Sequence, residues 1–293
     1  MTRNAKALCF ALATVLSWST VSTAFKLALR SLSPMQMTAV AMGTAALALV
    51  PFLAAEAGAL AGRGAVFTPR RTGLAVLAGL VIFLYYLVLF HGYDHLPAQV
   101  AQPVNYTWSI MLAILLSLVR RTPLRPRQVL WMCVAWAGTA VIALGGRGVG
   151  PVEPLGVGLI VLSTVLFAVY WVVSDVNDMP SLPAMLICFT VACLLAGGCC
   201  LALGEGLPAP KDCPWAVYLG FFELSLPFLC WREALRLTER VALMATLPLS
   251  TPFLALVWIH LVLGEPILAT TVAGLALIVA GTFLQVREGE RRN

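Results

Sequence analysis

The segment Thr72–Phe90 reads TGLAVLAGLVIFLYYLVLF, with Arg71 before it and His91 after it. It holds no charged residue. A helix needs about 20 predominantly apolar residues to cross the hydrocarbon layer of a bilayer. It has no alternation of apolar and polar residues, so it does not read as a strand of a membrane barrel. Working outward, the same texture recurs along the 293 residues. Apolar stretches lie at about 7–29, 34–55, 72–92, 97–119, 127–145, 154–175, 182–203, 213–235, 240–263 and 267–286. The separators are short and rich in Pro, Gly and Arg, as in RTPLRPR at 121–127. The expected fold is an all-α integral membrane protein of ten transmembrane helices.

Composition agrees. Apolar residues make up 60% of the chain and charged residues only 11%. A soluble domain carries roughly 25% charged residues, so this chain cannot clothe a water-facing surface. High hydrophobicity also excludes intrinsic disorder. The 8 cysteines sit in or beside apolar stretches with no CxxC pair, and read as small buried hydrophobes. His91 and His95 are four apart but lack further ligands, so no metal and no cofactor is expected. The net charge of +6 comes without any nucleic-acid-binding motif. Its distribution indicates orientation instead. If the N-terminus is cytoplasmic, the inner segments collect all of the 19 Lys and Arg except Arg30, Arg147, Lys211 and the intraspan Lys26. That bias predicts cytoplasmic ends at both termini. Arg3, Lys6 and the following apolar run resemble a signal peptide, but apolar character continues to Leu29, so a retained first helix is expected.

The chain repeats itself. Ala75–Gly79 (AVLAG) resembles Ala216–Gly220 (AVYLG), 141 residues later, and Ala137-Gly138-Thr139 matches Ala280-Gly281-Thr282, 143 later. Thr122-Pro123 and Glu265-Pro266 keep the same spacing to these glycines. The expected halves are 1–150 and 151–293, joined by the Gly-rich 145–151, which lacks the G-x-G-x-x-G spacing and strand–helix setting of a phosphate loop. Five helices per half is an odd number, so the halves run oppositely across the membrane. Inverted repeats around a central cavity are the architecture of secondary transporters, whose site lies between the repeats near the midplane.

Ten spans, the five-plus-five repeat and Leu263-Gly264-Glu265-Pro266, followed by Gly274 and Ala280-Gly281, resemble the drug/metabolite transporter superfamily, and within it the EamA-type repeat. The first half departs from the pattern: Thr122 replaces the acid, and Trp131 stands where Gly274 does. Pro103–Ser109 (PVNYTWS) and Ser17–Thr20 (SWST) further resemble the YddG-type aromatic amino-acid exporters, with Thr107 and Ser109 departing from that element. The resemblance implies export of amino acids, aromatic ones above all, across the bacterial inner membrane.

Candidate transport residues follow from polarity at depth. Gln99, Gln102, Asn105, Tyr106 and Ser109 recur at helical spacing in the fourth span. Intramembrane polar stripes face a cavity or a neighbouring helix. Ser19, Ser22, Thr23 and Lys26 in the first span, and Thr246, Ser250 and His260 in the ninth, form similar faces, for which ordinary interhelical bonding is the plainer reading. Pro248 and Pro252 could free carbonyls in that ninth helix. Trp18, Tyr85, Tyr86, Trp108, Tyr170 and Trp171 lie deep, where either packing or solute stacking would hold them. Trp131, Trp215, Trp231 and Trp258 fit the interfacial belt. Glu223 falls near the middle of the eighth span, paired structurally or acting in coupling. Lys26 is placed either to snorkel or to gate.

The expected substrate-binding set is therefore Trp18, Tyr85, Tyr86, Gln102, Asn105, Trp108, Tyr170, Trp171, Thr246 and Ser250, with Glu223 and Lys26 as coupling or gating residues. Asn105-Tyr106-Thr107 fits a glycosylation pattern but lies inside a span. The expected partners are the lipid bilayer and a small solute, with no nucleic acid. The leading reading is a non-enzymatic carrier for aromatic and other large neutral amino acids. A carrier of other small organic solutes is the alternative. A membrane transferase is weaker, because no HExxH, Gly-x-Ser-x-Gly or cluster of acids is present.

Overall fold

The computed structural model describes residues 3–62, 65–119, 121, 123–145, 152–238 and 247–290. Eight helices among them are long and apolar enough to cross a membrane. They comprise α1 (Arg3–Ala28), α2 (Pro34–Ala61), α3 (Pro69–Asp94), the α4/α5 pair (Ala98–Asn105 and Trp108–Val119), α6 (Pro126–Gly145), α7 (Pro154–Asp175), α8 (Ser181–Ala202) and α12 (Ala269–Glu290). The eighth and ninth spans expected from sequence are built in pieces. One runs α9 (Pro214–Leu219), a π-helical segment Gly220–Ser225, then α10 (Leu226–Leu237). The other runs from a short 3₁₀ turn through α11 (Thr251–Trp258) into a second π segment, Ile259–Leu263.

Starts and stops follow local chemistry. Ser33 accepts from the Gln36 N–H while the Gln36 side chain accepts from the Ser33 N–H, a capping box that launches α2. Thr68 caps α3 in the same manner, by accepting from the Arg71 N–H. Gly264 closes the second π segment in the left-handed region at φ 72°, where a side chain is disfavoured. From the first turn of α3, Arg71 binds Asp178, in the turn between α7 and α8, through one guanidinium edge, Nε to Oδ1 at 3.0 Å and Nη2 to Oδ2 at 2.8 Å. That fork holds the Asp178 carboxyl at about 2, below the usual carboxylate range.

Large apolar side chains point outward along the bundle. Leu47 is 74% exposed, Leu144 71% and Leu194 69%. Such a surface is stable against lipid tails and not against water.

The packing obeys a two-fold exchange. α6 packs on α12 and α2 on α8, pairs that the exchange maps onto themselves. α1 packs on α10 as α7 packs on α3; α1 packs on α11 as α7 packs on α5 and α4. Glycines make close crossings. A methyl on Gly138 would meet the Gly274 carbonyl oxygen at 2.5 Å, and one on Gly274 would meet the Gly138 oxygen at 2.6 Å. A methyl on Gly281 would meet the Trp131 oxygen at 2.6 Å. Gly138 and Gly281 are repeat equivalents, as are Trp131 and Gly274, so the contact recurs on itself. In lipid, helices associate through close packing and polar bonds, because the surrounding tails are as apolar as the side chains. These small residues let the two backbones approach closely.

Candidate functional site

The π segment sets the site. Within it, the Leu226 N–H returns to Phe221 and Pro227 has no N–H to give. The Phe222 and Glu223 carbonyls therefore turn to α1. The Ser17 hydroxyl donates to Phe222 O at 2.6 Å, and the Trp18 indole donates to Glu223 O at 3.3 Å. The Thr14 hydroxyl reaches Pro227 O at 3.2 Å, and Ser225 donates back to Gly220 O at 2.6 Å. The Phe222 and Glu223 carbonyls, otherwise orphan acceptors in an apolar layer, are thereby tied, and the segment presents the Glu223 side chain inward.

A second break lies opposite. Pro103 removes a ladder donor from α4, and the chain turns at Tyr106 and Thr107 before α5 resumes at Trp108. The Thr107 hydroxyl closes the turn on Val104 O at 2.8 Å. The turn brings Asn105, Tyr106, Trp108 and Ser109 to the bundle interior.

Between these breaks lies a cavity of about 820 Å³. Glu223 faces it, accepting from the Tyr86 hydroxyl at 3.0 Å through Oε1. The aromatic wall is continuous: Tyr85 stacks on Phe167 at 4.5 Å, Trp108 meets Phe167 edge-on at 5.0 Å, and Trp108 stacks on Trp171 at 6.1 Å. Trp171 then stacks on Phe228, which Trp18 meets edge-on. Asn105 donates to the Tyr85 hydroxyl at 3.4 Å, while its own buried Oδ1 has no partner among the described residues. The indole N–H of Trp171 is likewise buried and, among the described residues, unpartnered. Buried polar atoms are rarely left so unless a ligand or water completes them.

The cavity extends toward the end of the bundle that carries both chain ends, where Phe283, Val286 and Arg287 are exposed. The opposite end is closed by a polar layer. Lys26 donates to Tyr93 O and Leu96 O at 2.7 and 3.0 Å. The Tyr93 hydroxyl donates to Gln102 Oε1 at 2.6 Å. Gln99 donates to Pro266 O and accepts from Thr271. Pro97 cannot cap α4 with its own side chain, and Glu265 does so from across the bundle. Its two oxygens accept from the Ala98 and Gln99 N–H groups at 3.0 and 3.1 Å.

The structure brings Trp18, Tyr85, Tyr86, Gln102, Asn105, Trp108, Trp171 and Glu223 to one cavity. Tyr170 faces an adjoining pocket of about 370 Å³ that shares Trp171, Phe228 and Trp231 with it. Ser250 donates within its own turn, to Leu247 O. Thr246 lies outside the described residues. Lys26 belongs to the closing layer. Sequence reasoning passed over Phe167 and Phe228 and assigned Trp231 to the interface, yet all three line the cavity. A signal existed, since Phe167 is four residues before Trp171, and Phe228 three before Trp231.

The EamA-like transporter family model matches residues 5–144 and again 154–287. The chain belongs to the EamA-like transporter family. A member of this family is a multi-pass membrane transporter of the drug/metabolite type rather than an enzyme, and the doubled match fits the two-fold packing described above. A solved structure, described only as a crystal structure of a protein, superposes with a TM-score of 0.68 at 20% identity. The likeness covers 99% of each chain and concerns the fold alone. The comparison with curated protein sequences finds no match.

Proposed function

We propose that this transporter exports aromatic and other large neutral amino acids across the bacterial inner membrane by alternating access. The halves 1–150 and 151–293 rock about the central cavity, with both termini in the cytoplasm. One observation carries the reading: a large, aromatic-walled cavity with the Glu223 carboxylate at mid-bundle, open toward the chain ends and closed at the other end.

The chemistry fits the solute. Trp18, Trp108 and Trp171 offer flat faces to a ring, and each such contact is worth roughly 0.5–1.5 kcal/mol. Glu223 offers an acceptor to the α-ammonium group, and Asn105 a second one. Binding of this strength suits a carrier, which must also release its solute, and it favours breadth over strict selection. Gln102, Tyr86 and Tyr85 complete the polar floor, while Lys26 and Glu265 hold the closed end.

Purified protein in liposomes loaded with unlabelled phenylalanine should accumulate labelled phenylalanine from outside without any added nucleotide. Counterflow of other small organic solutes but of no amino acid would leave a carrier with a different substrate. Absence of counterflow for every solute, with the protein folded, would remove the carrier reading itself.

A further inference from the structure

The cavity is unequal in charge. Among the described residues that line it, Glu223 is the only acidic one and Arg287 the only basic one. The two stand at different depths. Glu223 sits in the π segment at mid-bundle, with Tyr86 as its hydrogen-bond partner. Arg287 is an exposed residue of the last turn of α12, toward the chain end. Among the described residues no hydrogen-bond donor is seen on the second carboxylate oxygen of Glu223, and the buried Asn105 Oδ1 is also unpartnered. Among the described residues the inner wall therefore offers unpartnered acceptors, aromatic faces and the single Trp171 indole donor, and no cationic side chain.

We propose that the inner site takes primary arylalkyl ammonium ions, amines with a ring and no carboxylate, in preference to the corresponding amino acids. An ammonium group supplies three donors to a wall that supplies acceptors. Its charge is drawn both to Glu223 and to the faces of Trp18, Trp108 and Trp171. An amino acid brings the same ammonium and ring, but its carboxylate must lie close to the Glu223 carboxylate with no cation beside it. At a separation of about 6 Å and an effective dielectric of about 20, that repulsion is worth about two decades of affinity. Water at the open end reduces it to about one. Of the wall's unpartnered groups, the Trp171 indole is a donor that could receive that carboxylate, so the amino acid is weakened and not excluded.

This inference rests on the carrier reading for its physiological meaning, and its test separates the two. Three ligands share a phenylethyl skeleton and differ in the charged groups it carries, an ammonium, both, or a carboxylate: 2-phenylethylammonium, phenylalanine and 3-phenylpropionate. Their affinities are measured at pH 8, where the amine stays cationic and phenylalanine zwitterionic, by calorimetric titration into the purified protein, and each is then assayed for counterflow in liposomes. The expected order is cation over zwitterion by at least tenfold, with the anion weakest. In Glu223→Gln the cation and the zwitterion should converge to within about threefold. Phenylalanine binding as tightly as the amine in the unaltered protein overturns the proposal, as does an unchanged order in Glu223→Gln. The ligand series in the unaltered protein decides the question even where that variant does not fold. Binding in the expected order without counterflow of any of the three upholds the charge preference and refutes the carrier reading. Counterflow of phenylalanine with no binding of the amine does the reverse.

Discussion

Replacing Gly138 by alanine should destabilise the bundle, although alanine is the better helix former. The added methyl would lie 2.5 Å from the Gly274 carbonyl oxygen and 2.9 Å from the Leu277 Cβ. Ordinary contact begins at about 3.4 Å, so α6 and α12 must part by about 0.9 Å. The obstacle is backbone, which cannot rotate aside. Overpacking of this kind costs about 1–3 kcal/mol, and the upper half applies where nothing yields. Helix propensity returns up to about 1 kcal/mol. The net loss is about 1–2 kcal/mol, or about 2–3 °C in thermal midpoint for a chain of this size. Gly198→Ala on α8 is the internal control. A methyl there meets nothing within 4 Å, so only the propensity gain remains and the midpoint should hold or rise slightly. Gly138→Ala combined with Gly274→Ala should cost less than the sum of the two, since one displacement relieves both clashes. The assay is thermal unfolding in detergent, followed by tryptophan fluorescence. A midpoint for Gly138→Ala at or above that of Gly198→Ala would show that the helices do not cross at this distance.

Other outcomes follow from the site. Glu265→Gln retains one acceptor oxygen and sets an amide N–H₂ against the start of α4, a loss of about 1–2 kcal/mol. Hydrogen exchange of the Ala98 and Gln99 amides should quicken about tenfold, and unchanged protection would mean that Glu265 does not cap α4. Trp108→Ala removes a stack on Trp171 and an edge contact to Phe167, so phenylalanine counterflow should fall about tenfold while alanine falls far less. Equal slowing of both would reduce Trp108 to a packing residue. The Asp178 carboxyl is depressed to about 2 by Arg71, so its contribution is complete above the unfolded value near 4 and disappears as pH falls through 2. Asp178→Asn should therefore lower the thermal midpoint equally at pH 8 and pH 5, and a cost confined to pH 8 would contradict the pairing.

The helices were legible in the sequence because a bilayer imposes a local demand. Every backbone N–H and C=O must be satisfied within the segment, and about 20 apolar residues must do it. Thr72–Phe90 declares itself on that ground alone, and so do its counterparts. The opposed halves follow from parity, five helices repeated once. Glu223 and Asn105 stood out because polarity at depth is costly without a purpose.

Which side of each helix faces inward was not legible, and for the same reason. In lipid the outer face is as apolar as the inner one, so amphipathic periodicity fades and rotation about the axis is set by neighbours. Trp231 reads like an interfacial residue until α10 packs on α1 and turns it to the cavity. Tyr170 and Trp171 are adjacent in sequence, yet only Trp171 reaches the central cavity. The pairing of the Phe222 and Glu223 carbonyls with Ser17 and Trp18 spans more than 200 positions of chain. The reach of Glu265 to the start of α4 crosses from one half to the other. Contacts of that separation depend on how the two halves cross at Gly138 and Gly274, a geometry that exists only once the bundle has formed.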